Sequence, residues 1–332
     1  MKRCAVIGAG AWGTALADLM AASGHEVRIW AYEPDVVQAI NEKHENPRFL
    51  AGVNLTKELV ATNEQSVALE GAGLVLYATP SNHLRAIARG ASSCVHPDAI
   101  LAVASKGIEL GTMALMTDVV AAEVPNHAVV AVSGPSFAAE VAARQPTAVV
   151  AACDSPGAAL FVQEAMSNAT FRIYTHDDVV GVELGGALKN VMAVATGILE
   201  GVGLGFNSRA ALITRGLAEM TRLGMSLGAR ASTFAGLAGI GDLVLTCTGT
   251  LSRNRALGVE VGQGKTLDEA RAGKETVAEG VVTTASTIEL AAREGVEMPI
   301  AEMVYRILFD HYPAKLAAQE LMARELRAEQ DA

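Results

Sequence analysis

The sequence predicts an α/β domain built on a parallel-rich, doubly wound sheet, followed by an all-α domain. Three observations carry this. An apolar run, Cys4-Ala5-Val6-Ile7, enters a glycine turn and leaves as Thr14-Ala15-Leu16-Ala17-Asp18-Leu19-Met20, strand then helix. Short apolar runs then alternate with helical stretches to about Asp177, the pattern of a sheet covered on both faces. After Asp178 no further β-run is evident. A chain of 332 residues is expected to form two domains, here 1–178 and 179–332.

The glycine turn reads Gly8-Ala9-Gly10-Ala11-Trp12-Gly13. Gly8 permits the turn, Gly10 lets backbone approach a pyrophosphate, and Gly13 lets the helix lie close to the strand. Phosphates then meet the N–H groups at the helix start. The strand before and the helix after are the context this motif requires, so the first domain reads as a dinucleotide-binding Rossmann-like domain.

The next strand, Glu26–Trp30, should end beside the adenosine ribose, where an acid marks a NAD site. That position is Ala31, and Glu33 comes two residues late, before Pro34, where it serves equally well as the negative charge opening a helix. Ala31 leaves room for a 2′-phosphate, yet Tyr32 replaces the arginine that would usually bind it. NAD and NADP both stand as cofactors.

Apolar residues make up 51% of the chain and aromatics 4%, which points to closely packed helices rich in small residues. No apolar run has the length of a bilayer span and no signal-peptide series opens the chain, so a soluble cytoplasmic protein without an integral membrane segment is expected. Cys4, Cys94, Cys153 and Cys247 are scattered and fit reduced buried thiols better than disulfides or a metal site; none is expected to hold metal. A net charge of −10 argues against nucleic acid as a partner. An anionic small substrate would need a local cluster of cations.

Further strands are expected at Leu74–Ala78, Ala99–Ala104, Val129–Ser133, Thr147–Ala152 and Phe171–Tyr174. Residues 46–60, containing Asn46-Pro47, read as a loop placed to lie over the cofactor. Helices are expected near Val182–Glu200, Arg209–Gly224, Ser252–Val261, Thr283–Glu294 and Pro299–Phe309.

Several residues are equipped for chemistry. Lys189 shares a helical stripe with Gly185, Gly186 and Ala193, which a second element can approach closely; it is either a snorkelling surface group or a cation aimed into a crevice. Asn190 lies on the same turn. Lys106 and the Gly134-Pro135-Ser136 turn follow strands and so belong to the carboxyl edge of the sheet. Asp242 sits in a glycine-bounded turn, and Ser252-Arg253-Asn254 combines a helix cap, a planar guanidinium fork and an amide suited to a phosphate.

Together these segments, among them GAGAWGTALA, ASKGIE, SGPSFAAEVA, VELGGALKNVMAVATGILEG and GDLVLTCTGTLSRNR, resemble the bacterial NAD(P)-dependent glycerol-3-phosphate dehydrogenases over nearly the whole chain. The resemblance implies an oxidoreductase that reversibly reduces dihydroxyacetone phosphate to sn-glycerol 3-phosphate for glycerophospholipid synthesis, and a homodimer joined through the helical domain. It implies Lys189 as the catalytic acid and base, with Lys106 and Asp242 beside it. Gly134, Ser136, Ser252, Arg253 and Asn254 complete the implied substrate contacts, and Asn190, on the same turn as Lys189, is placed to reach the site as a further substrate contact. For the cofactor it implies Ala11, Trp12, Tyr32, Lys106, Ala138, Arg253, Val277 and Glu279, beside Gly8, Gly10 and Gly13 of the glycine turn. Ala11 stands where relatives often have serine, and Tyr32 where arginine or histidine is frequent.

Overall fold

The computed structural model describes residues 1–273, 278–326, 328 and 329. By contact the chain divides into two compact units, 1–106 with 115–179, and 107–114 with 180–332.

The first unit is a sheet covered by helices. Its strands are β1 (Arg3–Ile7), β2 (Glu26–Trp30), β3 (Val60–Thr62), β4 (Leu74–Tyr77), β5 (Ile100–Val103), β6 (Val129–Ser133), β7 (Thr147–Ala152) and β8 (Phe171–His176). The order across the sheet is β3-β2-β1-β4-β5-β6-β7-β8. All neighbours are parallel except β6 and β7, which run antiparallel. The central strands are apolar on both faces because helices cover both: every residue of β4 is buried. The edge strand β8 instead alternates, exposing Arg172 and Tyr174 while Phe171 and Ile173 face the core.

The helices of this unit are α1 (Ala11–Ala22), α2 (Pro34–Lys43), α3 (Gln65–Leu69), α4 (Ser81–Ala91), α5 (Met116–Glu123), α6 (Ala138–Ala142) and α7 (Pro156–Met166). They pack in two groups, α1 with α6 and α7, and α4 with α3 and α5. Chain order reverses direction across the sheet between β1 and β4, so the crevice beyond their carboxyl ends is where such a sheet takes a ligand. Gly8 follows β1 and Ala78 follows β4 at that place.

The sequence reading of 46–60 as loop holds for 46–59, which contain turns and the isolated bridge between Asn46 and Leu50; only Val60 departs from it, opening β3, a strand too short for periodicity to reveal.

The helices from α8 on are α8 (Val179–Gly201), α9 (Phe206–Ser226), α10 (Ala231–Phe234), α11 (Asp242–Thr248), α12 (Arg253–Gly262), α13 (Leu267–Arg271), α14 (Glu279–Glu294), α15 (Pro299–Phe309) and α16 (Ala314–Met322). The axis of this second unit is α8. By length and composition it is apolar enough to span a bilayer, but 89% of its most apolar window is buried inside the protein, the signature of a core helix. Its small residues permit that burial. A Cβ at Gly197 or Gly201 would run into the carbonyl oxygens of Arg255 and Val259, so α12 crosses α8 backbone to backbone. The 107–114 segment belongs to this unit, where the Gly111 N–H donates to Glu289 Oε2 at 3.3 Å.

The thiols of Cys4, Cys153 and Cys247 are buried, whereas Cys94 is half-buried, and none is bridged.

Candidate active site

Within the sheet unit, Gly8 adopts φ +117°, a conformation that favours glycine, and its N–H donates to the Trp30 carbonyl at 3.0 Å. A Cβ there would lie 2.8 Å from the Ala78 oxygen, and one at Gly13 would overlap the Gly8 oxygen. These two glycines let α1 start directly against the strand ends. Gly10 is different, for a Cβ added to it would meet nothing within 4 Å. The open space above Gly10, the start of α1 and the buried, unpartnered Nε1 of Trp12 fit a bound dinucleotide.

Ala31 is fully buried and Tyr32 is 79% exposed. Glu33 precedes Pro34 at the first position of α2, and its side chain makes no capping bond. Neither an acid nor a guanidinium therefore occupies the ribose-recognition position.

At the end of β5, Ser105 Oγ donates to Thr79 O at 2.6 Å, tying the turn down, and Lys106 Nζ donates to the Gly134 carbonyl at 3.1 Å. Ser136 Oγ donates to the same carbonyl at 2.9 Å. Gly134 has φ +144°, and a Cβ would press on Val149 at 2.9 Å. The structure thus brings Lys106, Gly134 and Ser136 together. The helix after this turn, α6, starts at Ala138, so the Ser136 hydroxyl closes on the turn and does not cap a helix.

In the helical unit, Lys189 is 8% exposed, which decides between the two sequence readings in favour of a buried cation. Its Nζ donates to Asp242 Oδ1 at 2.5 Å and to Thr246 Oγ1 at 2.8 Å. Thr246 in turn donates its one hydroxyl hydrogen to the Asp242 carbonyl at 2.7 Å. Local sequence explains the meeting. Gly185, one turn before Lys189, has no side chain where the Ala238 carbonyl lies, and Gly239 bends the chain with φ −98° and ψ −107°. Asp242 then opens α11 beside Lys189, a favourable end for a carboxylate. Cys247, next along α11, has its thiol pushed up to about 12 by burial and is inert.

Ser252 caps α12 by accepting from Arg255 N at 3.2 Å. Asn254 Nδ2 donates to Asn190 Oδ1 at 2.8 Å, and Asn254 Oδ1 accepts from Gly280 N at 2.9 Å, so one amide joins α8, α12 and α14. Arg253 keeps open surface, yet the protein around its guanidinium excludes enough water to lower its pKa, with Glu279 opposing that shift. Arg255 fixes the helix from behind through Glu200, with bonds of 3.0 and 2.8 Å, and Arg209 adds a third at 2.8 Å. Ala138 and Glu279 are the first residues of α6 and α14. Val277 lies outside the described residues.

Sequence reasoning missed Thr246, although the signal was present: it lies four residues after Asp242 on the same helical face.

Residues 3–159 match the family model for the NAD-dependent glycerol-3-phosphate dehydrogenase N-terminus, and residues 178–319 match that for the C-terminus. The chain belongs to this family of dehydrogenases. It is 52% identical to the glycerol-3-phosphate dehydrogenase [NAD(P)+] of Citrifermentans bemidjiense over 99% of both chains, and 51% identical to that of Geobacter sulfurreducens over 99% of both. The crystal structure of glycerol-3-phosphate dehydrogenase from Coxiella burnetii superposes with a TM-score of 0.94 at 40% identity, covering 97% of this chain and 99% of that one. As a glycerol-3-phosphate dehydrogenase, the chain is an oxidoreductase of a CH–OH group that depends on NAD or NADP.

Proposed function

We propose that the chain interconverts dihydroxyacetone phosphate and sn-glycerol 3-phosphate with Lys189 as the general acid and base. The observation that carries this reading is the buried Lys189 ammonium held by Asp242 and Thr246. When bound, reduced nicotinamide supplies a hydride to the carbonyl carbon of the ketone. The carbonyl oxygen then takes a proton from Lys189 Nζ, leaving a neutral amine that solvent reprotonates, and the reverse direction returns that proton. Asp242 balances the buried charge, and Thr246 fixes the rotamer of the lysine chain. Lys106 adds positive charge that polarises the carbonyl, as an oxyanion hole does.

Arg253 supplies the planar fork for the substrate phosphate, Asn254 an amide hydrogen, and Ser252 the helix start on which both are mounted. Asn190 holds Asn254 in orientation. Gly134 and Ser136 are further substrate contacts. Gly8, Gly10, Ala11, Trp12 and Gly13 hold the pyrophosphate, with Tyr32, Ala138, Val277 and Glu279 as further cofactor contacts. The domains are taken as 1–178 for the dinucleotide and 179–332 for substrate and dimerisation. A cytoplasmic homodimer feeding lipid biosynthesis is the setting that fits this activity.

The test follows NADPH and NADH absorbance with dihydroxyacetone phosphate for wild type and Lys189→Ala. Wild-type turnover is expected, with loss of most of it in a variant that still binds cofactor. Folded wild type that binds NAD(P)H without turning over would refute the substrate assignment.

A further inference from the structure

We infer that Asn46 and Thr14 are positioning residues for the cofactor pyrophosphate, acting through the peptide bond between Ala9 and Gly10. Asn46 is fully buried. Its Nδ2 donates to the Ala9 carbonyl and to Thr14 Oγ1, both at 2.9 Å, and Thr14 Oγ1 donates to that same carbonyl at 3.1 Å. Phe49 N donates to Asn46 Oδ1 at 3.1 Å, which fixes the orientation of the amide and leaves Nδ2 facing the turn.

The consequence follows from peptide geometry. In a planar trans peptide the carbonyl of one residue and the N–H of the next point in opposite directions. Two buried donors hold the Ala9 oxygen inward, so the Gly10 N–H is turned away from them, and a Cβ added at Gly10 would meet no protein atom within 4 Å, which leaves the backbone there open to a ligand. That N–H is aimed where the dinucleotide reading places a phosphate. Released from its donors, the Ala9 carbonyl is able to rotate outward and present a partial negative charge to the same anion.

The donors belong to a fastened structure. Leu50 N donates to Asn46 O at 2.9 Å, Leu55 N to His44 O at 2.8 Å, and Thr56 N to the buried Asp18 Oδ1 on α1 at 2.6 Å. The segment after α2 is therefore pinned at both ends to the helix that begins at the glycine turn, and Asn46 is its contact with the turn itself.

This inference rests on the dinucleotide reading, and the experiment separates the two. Calorimetric titration of full-length wild type, Asn46→Ala, Thr14→Val and Thr14→Ser uses ADP-ribose, which carries the pyrophosphate, and adenosine, which lacks it. Thr14→Val is nearly isosteric, and thermal melting checks that it folds. Each of Asn46→Ala and Thr14→Val removes one of the two donors to the Ala9 carbonyl and should weaken ADP-ribose binding about tenfold. Thr14→Ser, which keeps the hydroxyl, should bind like wild type, and adenosine binding should not change in any variant. Wild type that does not bind ADP-ribose overturns both readings. Wild type that binds, with folded Thr14→Val binding equally well or losing adenosine to the same degree, overturns the positioning role alone.

Discussion

The Glu219 carboxyl on α9 accepts a hydrogen bond of 2.8 Å from the N–H of Ile300, in the first turn of α15, although Glu219 itself is 4% exposed. Ala301 N adds a longer bond at 3.4 Å. These bonds favour the carboxylate, but burial outweighs them and raises the pKa to about 7. The group lies on an apolar cavity of about 650 Å³ lined in part by Ile198, Leu212, Ile300 and Met303.

An acid raised in the folded state binds more protons there than in the unfolded chain between its ordinary pKa and 7. Its contribution to stability is therefore present at low pH and lost as pH rises through 7. Denaturant melts of wild type and Glu219→Gln between pH 5 and pH 8 should differ in slope. Wild type should lose roughly 2–3 kcal/mol relative to the variant across that range. Parallel curves would show that Glu219 does not titrate in this window.

Gly185→Ala tests how Lys189 and Asp242 are brought together. The added methyl would strike the Ala238 carbonyl, four residues before Asp242, and push the start of α11 away from α8. Overpacking of this kind costs about 1–3 kcal/mol. The turnover number should fall at least about tenfold, since small misplacement of a catalytic group has large effects. Affinity for NADH by fluorescence titration should stay at the wild-type value.

The same residues show what could be read from sequence. Gly8 and Gly13 were legible because a positive φ and two close approaches leave no other residue type, Gly10 because of its fixed place in the motif between them, and Pro299–Phe309 because proline starts it. The stripe around Lys189 predicted a close neighbour but not which one. That depended on the bend at Gly239, whose backbone angles no local pattern encodes. Strand direction was equally hidden: the Thr147–Ala152 run has the apolar character of its parallel neighbours, and only its connection makes it antiparallel to β6. The association of 107–114 with the helical unit arises from long-range contacts such as Gly111 to Glu289, 178 positions apart.

Glu200 holds the first turn of α12 through Arg255, two residues beyond Arg253. Glu200→Gln would remove the charge that Arg255 and Arg209 share, letting the Ser252-Arg253-Asn254 start of α12 drift relative to Lys189. The pair is partly open to solvent, so the stability cost should be only about 1 kcal/mol. The KM for dihydroxyacetone phosphate should rise several-fold, with the KM for NADH unchanged and Glu200→Asp restoring part of the loss. Equal changes in both constants would mean a general loosening of the fold.

Cofactor choice turns on Tyr32. With Ala31 buried and Tyr32 79% exposed, the ribose-recognition position offers neither a carboxylate to bond a 2′-hydroxyl nor a guanidinium to bond a 2′-phosphate. Tyr32→Arg supplies the second without disturbing the core, because the replaced side chain lies almost wholly in solvent. A guanidinium–phosphate pair is bidentate and charge-assisted, but at an exposed position salt screens it. The ratio of kcat/KM for NADPH to that for NADH should rise about tenfold at low ionic strength and shrink toward the wild-type ratio at high salt. A ratio that ignores both the substitution and the salt would place the 2′-phosphate away from residue 32, and would point instead to recognition through another part of the sheet edge.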